Sequence, residues 1–279
     1  MVSLLLPNII FAIGKTYESQ IPPTHNFMDN IIKAELIEKY RHGTNKLILL
    51  DYDGTLVDYS PVPKEAIPSD KLLNILIKLV DKPRTKVIII SGRDHQDIDK
   101  LLGNLSIDII AEHGAMFKES GKWKKQIVDN RLWKNKALPI LNRITLTCPD
   151  SFTEEKHFSL SWHYRNAESE TGYIRSRELI RLLDNIIHSF KLKLLDGNKV
   201  VEVMSEEIGK GKAVKKLLEQ NNYDFILSIG DDATDEEMFE FFLHNANAFT
   251  IKVGNRDTFA KYKLASINDV VLLLKHLSA

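Results

Sequence analysis

The stretch Lys46-Leu47-Ile48-Leu49-Leu50-Asp51-Tyr52-Asp53-Gly54-Thr55 decides how this chain is read. A short apolar run ends abruptly in two carboxylates, a glycine and a hydroxyl. Such a run, bounded by turn residues, predicts a buried strand with polar residues at its carboxyl end. Asp51 and Asp53 stand two apart, and in extended chain those side chains point the same way. Paired carboxylates suit a hard cation such as Mg²⁺. They also suit covalent phosphoryl transfer, in which one attacks and the other moves a proton. Gly54 permits a tight turn, and Thr55 adds a hydroxyl. Taken alone, Asp-x-Asp-Gly is also an ordinary turn.

Two further runs repeat the pattern. Val87–Ile90 ends at Ser91-Gly92-Arg93, and Phe225–Ile229 ends at Gly230-Asp231-Asp232, with Asp235, Glu236 and Glu237 close behind. Helical stripes accompany them: Leu72, Leu73, Leu76, Ile77 and Val80; Ile98, Leu101 and Leu102; Ala213, Val214, Leu217 and Leu218. Strands alternating with helices predict a parallel α/β sheet. Ligands of such sheets bind beyond the carboxyl ends of the strands, so the three tips are expected to share one site. Ser91 and the backbone N–H groups near Gly92 read as an anion site or as a simple N-cap. Glu236 and Glu237 fit an acidic first helical turn, whereas Asp231 and Asp232 precede the helix. Gly209-Lys210-Gly211-Lys212 places cations beside flexible backbone but lacks the spacing of a Walker loop.

Residues 115–205 have another character. Trp123, Trp133 and Trp162, all three tryptophans, fall here. Phe158 to Tyr164 alternates like a half-buried strand, Gly172–Phe190 carries a helical stripe, and Asp196-Gly197 marks a turn before a strand from Lys199 to Met204. This reads as an inserted α+β cap over residues 116–199. The hydrolase core is then 41–115 and 200–279, preceded by an extension, 1–40, with a helix from Asn26 to Tyr40. The tryptophans read as cap core. Glu112-His113-Gly114 reads as a hinge or as part of the site. His157, His188 and His244 show no metal-ligand spacing.

Lys+Arg and Asp+Glu both number 38 in 279 residues, so net charge is zero and gives no bulk attraction to nucleic acid. A lone cysteine, Cys148, excludes a disulfide framework and fits a cytoplasmic protein. No run reaches the roughly 18 to 20 apolar residues of a membrane helix. Met1–Gly14 is apolar, but it lacks a basic start and is interrupted at Pro7-Asn8. It reads as a packing segment rather than a signal peptide.

Asp-x-Asp-Gly-Thr, Ser-Gly-Arg, Lys-Gly and Gly-Asp-Asp-x-Thr-Asp-Glu occur in that order, each at or near a strand end. Together they resemble the four motifs of the haloacid dehalogenase-like phosphohydrolases. Ala111-Glu112-His113-Gly114-Ala115, Gly230–Phe239 and the stretch from Glu154-Glu155-Lys156 to His163-Tyr164-Arg165 are more narrowly similar to the trehalose-6-phosphate phosphatase family. The resemblance implies a Rossmann-like core with a specificity cap, and Mg²⁺-dependent hydrolysis of trehalose 6-phosphate. It implies Asp51 as nucleophile, Asp53 as general acid and base, and Lys210 beside the nucleophile. Mg²⁺ would be held by Asp51, the Asp53 main-chain carbonyl and Asp231, with Asp232 or Asp235 orienting water there. Thr55, Ser91, Gly92 and Arg93 would serve phosphate, and Glu154, Lys156, Arg165, Lys199 and Glu202 the sugar. The alternatives are a phosphatase for sucrose phosphate or mannosylglycerate phosphate, a phosphomutase, and a non-catalytic sugar-phosphate sensor. Related two-part enzymes join such a domain to a trehalose-6-phosphate synthase. The resemblance therefore also implies association with one, with His25–Tyr40 as the junction or contact.

Overall fold

A computed structural model describes residues 27–60, 62–128, 131–219 and 221–279. The central strand is β1 (Lys46–Leu50), buried at every residue after Lys46. The chain runs α1 (Asn30–His42), β1, α2 (Asp70–Val80), β2 (Thr85–Ile90), α3 (His95–Leu102), β3 (Asp108–Ala111), β4 (Met116–Glu119), β5 (Lys122–Lys125), α4 (Lys134–Leu146), β6 (Phe152–Glu155) and β7 (Ser159–His163). It continues α5 (Ser169–Phe190), β8 (Leu192–Gly197), β9 (Val200–Ser205), α6 (Lys210–Leu218), β10 (Phe225–Gly230), α7 (Glu236–Phe241), β11 (Ala248–Val253), β12 (Tyr262–Leu264) and α8 (Ile267–Ser278).

One sheet has the order β12-β11-β10-β1-β2-β3-β4-β5. From β12 to β3 its neighbours are parallel, and β4 and β5 are antiparallel additions. The alternation of side chains explains the double burial. Ile48 and Leu50 join Ile89, Leu227, Ile229 and Leu76 on one face, while Leu47 and Leu49 join Ile88, Ile90, Ile226 and Val214 on the other. Leu50 pairs with Ile229 on one side and Ile89 on the other, so the tips of β10, β1 and β2 end level. That register places Asp51, Ser91 and Asp231 along one edge.

The second sheet, β6-β7-β9-β8, is wholly antiparallel and builds a separate core around Trp133, Leu141, Leu160, Trp162, Leu179 and Leu183 with α4 and α5. Its boundaries depart from those read in the sequence. Met116–Lys125 was placed in the cap, yet β4 pairs with β3 and extends the core sheet. Trp123 accordingly packs against the core cluster, whereas Trp133 and Trp162 lie in the cap. Val200–Ser205 was placed in the core, yet β9 is an inner strand of the cap sheet. The β4–β5 hairpin folds back locally onto β3, whereas β9 is drawn into the cap by its pairing with the distant β7. Nor is α1 a free extension: Leu36 and Tyr40 are buried, and the Tyr40 ring meets Phe225 edge-on at 5.4 Å. Phe27 bridges to Lys263, and the Met28 N–H donates to the Lys263 carbonyl at 2.8 Å, closing the β12 edge. The apolar stretch Met1–Gly14 and the first two residues of the His25–Tyr40 segment lie outside the described residues. No helix among the described residues is long and apolar enough to cross a membrane.

Candidate active site

Beyond β1 the chain turns sharply. Leu56 and Val57 return their N–H groups to the Tyr52 carbonyl, and Gly54 donates to Val57 at 2.7 Å. Gly54 sits at φ +83°, and a Cβ there would lie 2.3 Å from an Asp231 oxygen, so only glycine fits. Pairing of β1 with β10 holds Asp51 beside the tip of β10, its N–H on the Ile229 carbonyl at 3.0 Å, with Asp231 and Asp235 close by. Carboxylate oxygens of Asp51, Asp231 and Asp235 lie within 4.8 Å of one another.

Lys210, at the start of α6, is buried among them. Its Nζ donates to Asp51 Oδ1 and to Asp235 Oδ1, each at 2.7 Å. Burial alone would lower its pKa, but the charges of Asp235 and Asp51 raise it well above the ordinary lysine value. Burial pushes the Asp51 carboxyl up to about 8, against the pull of Lys210 and with the repulsion of Asp231 and Asp232. Asp231 is pushed to about 7 by burial and then by Asp232 and Asp235. Three crowded carboxylates that resist ionising together, all oxygen donors, fit a hard divalent cation.

Asp232 is used differently. Its Oδ1 accepts from the Thr234 N–H and hydroxyl and from the Asp235 N–H, which caps the turn into α7. Asp235 Oδ2 in turn accepts the N–H groups of Asp231 and Asp232. Of the two candidates for orienting metal-bound water, Asp232 and Asp235, the carboxylate beside Asp51 and Asp231 is that of Asp235.

Asp53 faces β2. Arg93 grips it bidentately, Nε to Oδ2 at 2.7 Å and Nη2 to Oδ1 at 2.6 Å. The Arg93 guanidinium also lies 5.0 Å from the Tyr52 ring centroid. Arg93 was read as a phosphate ligand, yet its fork is engaged with a carboxylate. Ser91 is buried, its Oγ accepting the Arg93 N–H at 3.2 Å. Thr55 is buried and donates to Asp231 Oδ1 at 3.2 Å.

The cap meets this edge through few residues. Lys156 donates to the Gly92 carbonyl at 3.0 Å and to Glu202 Oε1 at 2.9 Å. Ser159 donates to the same Glu202 oxygen at 2.5 Å. Burial would raise the Glu202 carboxyl, but Lys156 and His113 hold it well below the usual carboxylate range. Glu154 accepts from His163 Nε2 at 2.7 Å. The Arg165 guanidinium lies over the Tyr59 ring at 5.1 Å, and Tyr59 donates to Asp231 Oδ2 at 3.0 Å. Lys199 turns away to Ser169 at 2.8 Å. Glu154, Lys156, Glu202 and Arg165 thus lie on the side facing the core, and Lys199, in the turn between β8 and β9, is engaged with the start of α5.

Some contributors had no signal in the sequence. Tyr59, in the loop after the first motif, links Asp231 to the cap. Glu112 accepts from His95 Nδ1 at 3.0 Å and from the cap's Phe158 N–H at 2.8 Å. The Ala111-Glu112-His113-Gly114 resemblance marked the segment without showing these bonds.

The parallel sheet, its carboxylate-rich strand tips and the inserted cap define a haloacid dehalogenase-like hydrolase fold. Solved structures agree: the chain superposes with TM-score 0.85 on the C-terminal domain of Candida albicans trehalose-6-phosphate phosphatase, at 28% identity over 91% of this chain and 98% of that one. The trehalose-phosphatase family model matches residues 49–268, and the chain belongs to that family. Its relatives include the bifunctional trehalose-6-phosphate synthase/phosphatase of Thermoproteus tenax, 36% identical over 95% of this chain and 36% of that protein. Another is the trehalose-phosphatase of Saccharomyces cerevisiae, 34% identical over 73% of this chain and 25% of that protein. The chain spans about a third of the length of the relatives it matches.

Proposed function

We propose that the chain hydrolyses trehalose 6-phosphate to trehalose and inorganic phosphate through an aspartyl-phosphate on Asp51. The observation that carries this reading is the buried Asp51 carboxylate, one oxygen on Lys210, beneath a cap that presents Glu154, Lys156, Arg165 and Glu202. Asp51 attacks phosphorus and the bond to the sugar oxygen breaks, with Asp53 giving that oxygen its proton. Water then attacks the aspartyl-phosphate, Asp53 takes its proton, and phosphate leaves. The Arg93 fork holds the Asp53 carboxylate in place for these proton transfers. Ser91 and the backbone near Gly92 hold phosphoryl oxygens, and Lys210 neutralises charge on nucleophile and phosphate. Mg²⁺, when bound among Asp51, Asp231 and Asp235, supplies charge that offsets repulsion between the nucleophile and the phosphoryl group.

The cap residues serve sugar hydroxyls, since buried polar groups left without partners are costly and so discriminate. The fused synthase of the Thermoproteus tenax relative supports association of this chain with a trehalose-6-phosphate synthase. A phosphate-release panel tests the function: trehalose 6-phosphate, sucrose phosphate and mannosylglycerate phosphate, each with and without Mg²⁺. Trehalose 6-phosphate is expected to turn over fastest and only with the metal. Equal turnover of all three sinks the substrate assignment, and undiminished turnover after chelation sinks the metal.

A further inference from the structure

His113 sits where core, cap and phosphate loop meet. It belongs to the turn after β3, and both Glu112 and His113 hold left-handed backbone, φ 48° and 55°. Such conformations are unfavourable outside glycine and persist when the surroundings fix them. The fixing bonds run to the loop after β2. The Glu112 N–H donates to the Arg93 carbonyl at 2.9 Å and the His113 N–H to the Ser91 carbonyl at 3.0 Å. Lys156, from the cap, takes the Gly92 carbonyl between them. All three carbonyls of Ser91-Gly92-Arg93 are thereby held, two by the turn and one by the cap.

The His113 ring completes the junction. A Cβ on Gly92 would lie 2.3 Å from His113 Cε1, so the imidazole fills the space that glycine leaves. Its Nε2 is 3.3 Å from Glu202 Oε2 on β9. An ionised carboxylate only accepts, so Nε2 carries the proton in this contact. The other nitrogen, Nδ1, is buried with no hydrogen-bond partner. A buried nitrogen left without a partner costs stability, so this ring is not held there by its own polar satisfaction.

We infer that His113 is a positioning residue: it orients the cap's Glu202 and, seated on Gly92, registers the cap's sugar-side residues against the phosphate loop. The inference rests on the proposed reading of the cap as the sugar site. It acts on hydrolysis of a sugar phosphate and not on phosphoryl chemistry itself. His113→Ala is expected to lower kcat/KM for trehalose 6-phosphate by roughly 100-fold, the scale of a small misplacement of a bound substrate. For p-nitrophenyl phosphate, which carries no sugar, the expected change is less than about threefold, because the main-chain bond from residue 113 to the Ser91 carbonyl, which fixes the phosphate loop, is kept in the variant. His113→Gln, whose amide nitrogen reaches near the position of Nε2, is expected to recover most of the sugar-phosphate rate, and His113→Asn, which is shorter, is not.

Equal losses on both substrates overturn the inference, because they place His113 in the core chemistry. A folded His113→Gln protein that behaves like His113→Ala overturns the link to Glu202. If His113→Ala does not fold, His113→Gln decides alone: parental preference for the sugar phosphate supports the inference, and a lost preference overturns it. Failure of the substrate assignment is seen separately, in the parent protein. The same ratio is then measured with whichever sugar phosphate the parent hydrolyses.

Discussion

Lys210 has a single positive charge and two buried carboxylates to serve. Removing it leaves Asp51 and Asp235 together without a counter-charge. Breaking a buried pair in this way costs about 3–5 kcal/mol, so Lys210→Ala is expected to melt well below the parent in thermal unfolding as well as losing turnover. Asp51→Asn separates the two effects. It removes the nucleophile, and phosphate release is expected to fall on the order of 10³-fold or more. Its melting midpoint in the absence of metal is expected to be no lower than the parent's, because a carboxylate crowded by Asp231 and Asp232 is replaced by a neutral amide. The two aspartates of the first motif, Lys210 and Asp231 were legible in the sequence because each follows directly from a strand end or helix start. The choice between Asp232 and Asp235 was not. It depends on the turn in which Asp232 caps the next residues, and neighbouring carboxylates look alike in a string of letters.

Among the elements that join cap to core are β9, which carries Glu202, and the segment leading from β6 to β7, which carries Lys156. Glu202 has a folded pKa well below the ordinary 4.5, so its contribution is fully present above that value and is lost as pH falls through the folded pKa. The difference in melting midpoint between the parent and Glu202→Gln is therefore expected to be constant at neutral pH and to shrink below about pH 4.5. A difference that instead grows on acidification contradicts the charge assignment. Strand identity was readable for β1, β2 and β10 from their apolar runs. Strand partnership was not. The β4–β5 hairpin falls beside the tryptophan-rich region in sequence and beside β3 in space, and β9 crosses the reverse boundary.

The described residues form three apolar clusters, one on each face of the core sheet and one within the cap. Trp162 is fully buried in the cap, stacked on Tyr164 at 4.9 Å, and its Nε1 has no partner. Trp162→Ala is expected to cost about 3–5 kcal/mol. The loss should appear as proteolytic opening of residues 134–205 while β1, β2 and β10 stay protected. Trp162→Phe is expected to cost much less, since no hydrogen bond is lost. The alternation of strands and helices made the core architecture legible. The cap's four-stranded order was not, because its strands are short and paired across α5.

The two borders of the large sheet are closed by different means. At β12 the main chain of Phe27 and Met28 occupies the outer hydrogen-bonding row. At β5 the strand is Lys122-Trp123-Lys124-Lys125, with its lysines exposed. Charged side chains along an open border deter a second sheet from adding to it. One border thus resists self-association by occupancy and the other by electrostatic repulsion. The first is insensitive to salt and the second is weakened by it. Should copies of this chain add to one another strand by strand, they would begin at Lys122–Lys125, and in concentrated salt.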